Sequence, residues 1–245
     1  MSARASKLSL PKVVRGVVRL YREQWRLLLA AGVLVLVPLG LVEALDAKLQ
    51  GLDLDQVDDL TAITVLGVAL GHAGAALLGE VFYSGVVAAG VWEALGGKHH
   101  TLRDIARTIP WGRLIVVDLL FALITLGGLL LLVIPGVVFF VWFAISGPIV
   151  KIERRAPFDA LRRSRELVRG SFWRVLSIVI PLELLTDAAI NAAANAGHSI
   201  GGESLMGEWA GAALGELIAT PLYAAVLVVV AFQLIALERG EVNPS

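Results

Sequence analysis

Five long apolar runs stand out along the chain, at 27–45, 62–95, 114–150, 175–197 and 211–237. A membrane-crossing helix needs roughly 20 predominantly apolar residues, and every run is long enough to supply one. The run 62–95 would reach about 51 Å as a single helix. The hydrocarbon layer is about 30 Å thick, so this segment must tilt, kink or protrude. The run 114–150 would reach about 55 Å, and Ile134-Pro135-Gly136 lies in its middle. Proline sets φ for the first corner of a turn and glycine supplies the positive φ of the second. The pattern therefore predicts a hairpin at Pro135-Gly136 and six spans from five runs. The predicted architecture is an all-α polytopic membrane protein. It is one integral membrane domain over 1–245, laid out as 1–26, 27–95, 96–150, 151–237 and 238–245. The first run, Leu27–Leu45, starts too late and is too long for the apolar core of a cleaved leader, so it reads as a retained span.

Charge fits this layout. Segments 1–26, 96–113, 151–174 and 238–245 carry twenty of the 21 Lys and Arg residues, and the opposite connections carry only Lys48. Asp46, Asp53, Asp55, Asp58, Asp59, Glu203 and Glu208 lie on that opposite side. The positive-inside rule puts the basic segments and both termini in the cytoplasm. Without a turn near Pro135-Gly136, the most basic loop would face outward. The net charge of zero hides this segregation.

Each odd-numbered span is preceded by a basic, amphipathic stretch. In Pro11–Arg26, Lys12, Arg15, Arg19, Arg22 and Arg26 recur at helical spacing, with Val14, Val17, Val18, Tyr21 and Trp25 largely opposite. In 101–109, Thr101 and Asp104 match a capping box, Leu102, Ile105 and Ile109 are apolar, and Arg103 and Arg107 are polar. In 157–173, Phe158, Leu161, Val168 and Phe172 alternate with Arg162, Arg163, Arg165 and Arg169. Such helices are expected to lie at the interface and attract anionic headgroups. Each meets its span through Trp and Arg, at Trp25-Arg26, Trp111-Gly112-Arg113 and Trp173-Arg174. Either the unit is a threefold pseudo-repeat, or each inward-starting span independently carries Trp and Arg at its interface.

The third unit carries a resemblance. It reads Ile134-Pro135-Gly136, a short span to Pro148, then Val150-Lys151-Ile152-Glu153. Ala160-Leu161-Arg162-Arg163-Ser164 and Gly170-Ser171-Phe172-Trp173-Arg174 follow. This resembles the membrane domain that precedes the catalytic domain in some bacterial glycerophosphodiester phosphodiesterases, and the standalone six-span proteins related to it. The close match covers about 40 residues. The resemblance implies a six-span membrane module in the bacterial cytoplasmic membrane. That family's catalytic part is a separate soluble barrel with metal-binding carboxylates, and nothing in this chain has the length or polarity to be one. Catalysis does not carry over.

Ionisable groups at membrane depth are costly and are functional candidates by default. Glu183, Asp187, Asn191 and Asn195 recur every four residues in the fifth span, just after Pro181. His72, Glu80 and Ser84 share the second span, and Glu208, Glu216 and Thr220 the sixth. No Lys or Arg lies within a span to neutralise these acids. They form either an acidic, partly wet cavity fit for a proton or cation, or ordinary interhelical hydrogen bonds. Asp118 reads as an interface residue, and Glu43 and Glu93 as solvated span ends. Gly67 with Gly71, and Gly207, Gly211 and Gly215, permit close helix approach. The second series would serve internal packing or a homo-oligomer contact.

The chain lacks cysteine, and His99-His100 has no other ligand at metal spacing, so no metal or other cofactor is expected. No phosphate-binding or hydrolase motif is present. Two function classes follow. The first is a non-enzymatic membrane module that organises anionic lipid or a membrane or cytoplasmic protein partner. It would act through Arg15, Arg19, Arg22, Arg162, Arg163, Arg165 and Arg169. The second is a small transporter or lipid-handling protein that uses His72, Glu80, Glu183, Asp187, Asn191 and Glu216. Beside Trp and apolar stripes, headgroups fit the basic loops better than nucleic acid does.

Overall fold

A computed structural model describes residues 8, 10–50, 79–95, 107–201 and 205–240. Among these residues every regular element is a helix. In chain order they are α1 (Leu10–Gln50), α2 (Glu80–Leu95), α3 (Trp111–Leu131), α4 (Val133–Phe143), α5 (Ser146–Ile152), α6 (Pro157–Arg169), α7 (Phe172–Gly201) and α8 (Leu205–Glu238). His72, His99, His100, the Thr101–Asp104 capping box, Gly67 with Gly71, and the acidic loop 53–59 lie outside the described residues.

Four stretches are long and apolar enough to cross a membrane: Trp111–Leu131, Val133–Ile152, Phe172–Gly197 and Ala213–Glu238. The surface agrees with a lipid solvent. Ile115, Leu119 and Leu123 on α3, Leu184 and Leu185 on α7, and Leu214 and Ile218 on α8 are all exposed. A water-soluble monomer rarely presents contiguous apolar stripes of that kind.

α3 and α4 form the expected hairpin, but the break falls at Leu132 rather than at Pro135-Gly136. Leu132 is extended (φ −168°, ψ 149°), and its N–H returns to the carbonyl of Gly128 at 3.0 Å. Pro135 instead sits in the first turn of α4, where a missing N–H costs nothing because no intrahelical acceptor exists there. Gly136 lies against Gly128 and Leu129 of α3, where a Cβ would collide with Leu129. The pair therefore starts a helix and lets it approach its neighbour. A turn at Ala144-Ile145 separates α4 from α5 within the same crossing stretch.

The core is built around α2 and the second half of α8. Val81, Val87, Ala88 and Ala89 of α2 and Leu227, Val228, Val230 and Ala231 of α8 are fully buried. α2 and α5 approach backbone to backbone. A Cβ on Gly147 would strike the Val81 carbonyl and the Ser84 hydroxyl. Glycine serves close approach a second time, because α7 and α8 meet in the same way. Gly211 and Gly215 lie against Ala193 and Ile190 of α7. These two members of the small-residue series are occupied within the chain.

The first basic segment differs from a helix lying flat on headgroups. α1 kinks at Gln24 (φ −128°, ψ 22°), at the expected boundary between basic segment and first span. Before the kink, Val13, Val17 and Leu20 are buried. Gly16 touches Val229, and the Tyr21 hydroxyl donates to the Ile218 carbonyl at 3.4 Å, so the segment runs antiparallel along α8. Val14, Val18 and Trp25 are exposed beside the basic face. α6, the third basic segment, instead packs across α3, α4 and α5. These two segments are therefore not equivalent in their packing.

Candidate functional site

Among the described residues, polar chemistry gathers in two places. The first begins with the start of α2. A helix N-terminus leaves backbone N–H groups without intrahelical acceptors. Here Gly79 turns with φ 99°, and the Asp118 side chain of α3 supplies the acceptors. Its Oδ2 accepts from Gly79 N–H at 2.8 Å, and its Oδ1 accepts from Val81 and Phe82 N–H, each at 3.1 Å. Asp118 is only 6% exposed. It is a buried cap of α2. Within the apolar run 62–95, α2 therefore begins at this cap.

Placing α2 in this way fixes Glu80 as its first residue, half-buried and facing α7 and α8. The Tyr223 hydroxyl of α8 donates to Glu80 Oε2 at 3.4 Å. Glu183 of α7 lies within hydrogen-bonding reach of both Glu80 and Tyr223. Asp118 and Asp187 are near enough to act on Glu80 electrostatically. Three helices thus converge on two carboxyls and a phenol. Among the described residues no Lys or Arg pairs with Glu80, Glu183 or Asp187. Two carboxyls this close need a proton, a cation or water between them.

The rest of the predicted polar stripe is dispersed. Asp187 and Asn191 are exposed on the outer side of α7, and the Asn191 amide donates to the Asp187 carbonyl at 2.9 Å. Glu216 is half-buried on α8, two helical turns from Tyr223. Among the described residues no group of three His, Cys, Asp or Glu is placed to hold a metal ion. Tyr223 carries no charge and so leaves no mark among the charged residues of the spans. Asp118 was hidden by its closeness to Arg113. The signal for the cap was Gly79-Glu80 inside an overlong apolar run, which required an acceptor from another helix.

The second place is the basic end. α6 starts cleanly, with Pro157 at its first position, Asp159 in its first turn and Arg169 in its last, which suits the helix dipole at both ends. Its inner face, Ala160, Leu161, Ser164 and Val168, is buried, and the Ser164 hydroxyl donates to the Trp142 carbonyl at 2.7 Å. Arg163 points back into the protein. Its Nε donates to Glu153 Oε2 at 3.1 Å and its Nη1 to Glu238 Oε1 at 2.8 Å, tying the α5–α6 connection to the end of α8. Burial would raise the Glu153 carboxyl, but Arg163 and Arg155 outweigh it and hold Glu153 below its ordinary value. Arg163 is therefore committed to this tie. Arg162 pairs with Glu166 at 3.2 Å and stays largely exposed, and the Arg165 guanidinium lies 4.5 Å from the Trp142 ring centre. Arg15, Arg19 and Arg22 are exposed on α1, with Arg19 paired to Glu23.

Between the end of α6, the start of α7 and the end of α8 lies a groove of about 680 Å³. Comparison with family models, with curated proteins and with solved structures returns no match.

Proposed function

We propose that this is a six-span, non-enzymatic module of a bacterial cytoplasmic membrane that gathers anionic lipid at the inner leaflet. Both termini and the basic end face the cytoplasm in this reading. The observation that carries it is the α6 platform. Its inner face is anchored in the bundle and its Arg163 is fixed between Glu153 and Glu238, while Arg162 remains largely exposed and Arg165 rests on Trp142. Phe158 and Trp173, 70% and 77% exposed, flank it with apolar and aromatic surface. Cationic side chains beside interfacial aromatics suit headgroups, with about 1 kcal/mol of attraction per Lys or Arg. The resemblance of residues 134–174 to the phosphodiesterase membrane domain supports the same reading, since that domain is distinct from the catalytic barrel.

The test is lipid preference around the full chain. In bilayers of phosphatidylcholine with a minor fraction of phosphatidylglycerol, energy transfer from tryptophan should be stronger to a labelled phosphatidylglycerol than to a labelled phosphatidylcholine. The difference should shrink with added salt and in Arg162→Glu/Arg165→Glu. Equal transfer to both lipids at low salt overturns the reading.

A second reading, a small transporter with an acidic cavity, is favoured by the meeting of Glu80, Glu183 and Tyr223. It requires water to reach the site. A cysteine at Glu183 that reacts with a membrane-impermeant thiol reagent, while one at the outward-facing Leu184 does not, would favour transport over the lipid module.

A further inference from the structure

The geometry points to a discrete site for one anionic phospholipid in the groove between α6, α7 and α8, an inference that rests on the inner-leaflet reading above. The groove holds about 680 Å³ and is lined by Arg169 and Arg174, by Phe172 and Trp173, and by Leu234 and Leu237. That is within the range of small-molecule sites, roughly 300–1,000 Å³. Its lining combines cationic and apolar side chains, as a phospholipid combines an anionic headgroup with apolar chains.

The charge balance favours an anion. Two acids, Glu166 and Glu238, also reach the groove, but each is already engaged by an arginine outside it. Glu166 pairs with Arg162 at 3.2 Å, and Glu238 accepts from Arg163 at 2.8 Å. Arg169 and Arg174 make no ion pair among the described residues. The backbone adds to them. The N–H groups of Arg174 and Val175 both turn back to the Ser171 carbonyl, which makes Ser171 the cap of α7. The N–H groups of Phe172 and Trp173 then belong to the first turn, where no intrahelical acceptor exists. The positive end of a 30-residue helix thus belongs to the groove that Arg169 and Arg174 also line.

The apolar part argues for a lipid rather than free phosphate. Leu234 and Leu237 come from the last turns of α8, Phe172 is half-buried against Trp142, and Trp173 is 77% exposed at the start of a membrane-length helix. A phosphate held by Arg169 and Arg174 would leave its glycerol and the upper acyl chain against Phe172, Leu234 and Leu237. Trp173 would lie at headgroup depth, where its ring is favoured.

The experiment is a titration of the full chain in neutral detergent micelles with dioleoyl phosphatidylglycerol, counting bound lipids by native mass spectrometry. One lipid should bind more tightly than the rest. Arg169→Gln/Arg174→Gln should weaken that first binding by about thirtyfold, taking two surface-like cationic contacts, while Arg169→Lys/Arg174→Lys should retain most of it. An unchanged melting temperature in the Gln pair separates lost binding from lost folding. If it melts earlier, the lysine pair and a lysine-to-glutamine comparison at Arg174 alone decide the matter. Arg165→Gln, which leaves the Arg162–Glu166 pair intact, should spare the first lipid and reduce only the later ones. A first lipid lost in Arg165→Gln and kept in Arg169→Gln/Arg174→Gln overturns the groove while leaving the inner-leaflet reading intact. No preference for phosphatidylglycerol over phosphatidylcholine in the parent overturns both. Displacement of the lipid by inorganic phosphate at equal concentration would identify a soluble phosphate as the ligand and overturn the lipid assignment.

Discussion

Asp118 offers the sharpest perturbation, because one side chain starts one helix. Its two oxygens accept from three backbone N–H groups, at 2.8, 3.1 and 3.1 Å. Replacing Asp118 by Ala removes every acceptor from a site that is 6% exposed in the parent. A buried donor left without a partner costs about 1–3 kcal/mol. Gly79 is half-buried and can recover some solvent, so the Val81 and Phe82 N–H groups dominate, and the expected loss is about 3 kcal/mol. Asp118→Asn should cost less, about 1 kcal/mol. Its carbonyl can replace Oδ1, which serves Val81 and Phe82, while its amide group faces the Gly79 N–H and repels it. Equilibrium unfolding in mixed micelles, followed by tryptophan fluorescence, gives the numbers. A loss below about 0.5 kcal/mol in Asp118→Ala, the usual scale of an inert surface change, would refute the cap. So would an Asn variant less stable than the Ala variant.

Other consequences follow from the same contacts. Gly147→Ala should destabilise by about 1–3 kcal/mol because its Cβ meets the Val81 carbonyl, whereas Gly112→Ala, with nothing within 4 Å, should be neutral or slightly stabilising; thermal melting of both separates close packing from helix propensity. Glu153 has a depressed carboxyl pKa in the fold against an ordinary value of 4.5, so its contribution is complete above that value and is lost as pH falls below it. The melting temperature of the parent should therefore drop on acidification below about pH 4.5 more steeply than that of Glu153→Gln, and parallel profiles would remove Glu153 from the tie. Arg163→Lys should lose most of the same stabilisation, because one ammonium cannot serve Glu153 and Glu238 in fork geometry, and a parent-like melting temperature would argue against the tie. Tyr223→Phe should leave lipid preference intact while lowering stability by about 1 kcal/mol; unchanged stability would mean that the hydroxyl near Glu80 contributes nothing.

Much of the helical plan is legible in the sequence, for physical reasons that particular residues make plain. Apolar runs of spanning length yield α3, the α4–α5 stretch, α7 and α8, because a continuous apolar run of about 20 residues satisfies its own backbone in lipid as a helix. Pro157 and the alternation of Phe158, Leu161 and Val168 with arginines mark α6 in the same direct way. The hairpin falls in the connection that the sequence marks but breaks at Leu132, since Pro135 is as well suited to the first turn of a helix as to a turn corner. Part of the candidate site was also legible. Glu80 and Glu183 do approach each other, whereas Asp187 and Asn191 follow the helical drift of their four-residue spacing onto the exposed side. Which residues complete the site could not be read from periodicity. Tyr223 joins through the packing of α8 against α2, and Asp118 through the place where α2 begins, and both depend on contacts between distant segments. The basic face showed the same limit: spacing groups Arg163 with Arg162 and Arg165, but only tertiary structure turns it inward between Glu153 and Glu238.

The central claim is that the α6 platform lies on the cytoplasmic side of a six-span bundle. The chain has no cysteine, so single cysteines report position without background. Ser164 is buried and would be silent, but Arg162, with its side chain 80% exposed, is a suitable reporter. In intact cells a membrane-impermeant thiol reagent should label Asp55→Cys and leave Arg162→Cys untouched until the membrane is opened. Labelling of Arg162→Cys from outside, with Asp55→Cys protected, would invert the topology and contradict the inner-leaflet function.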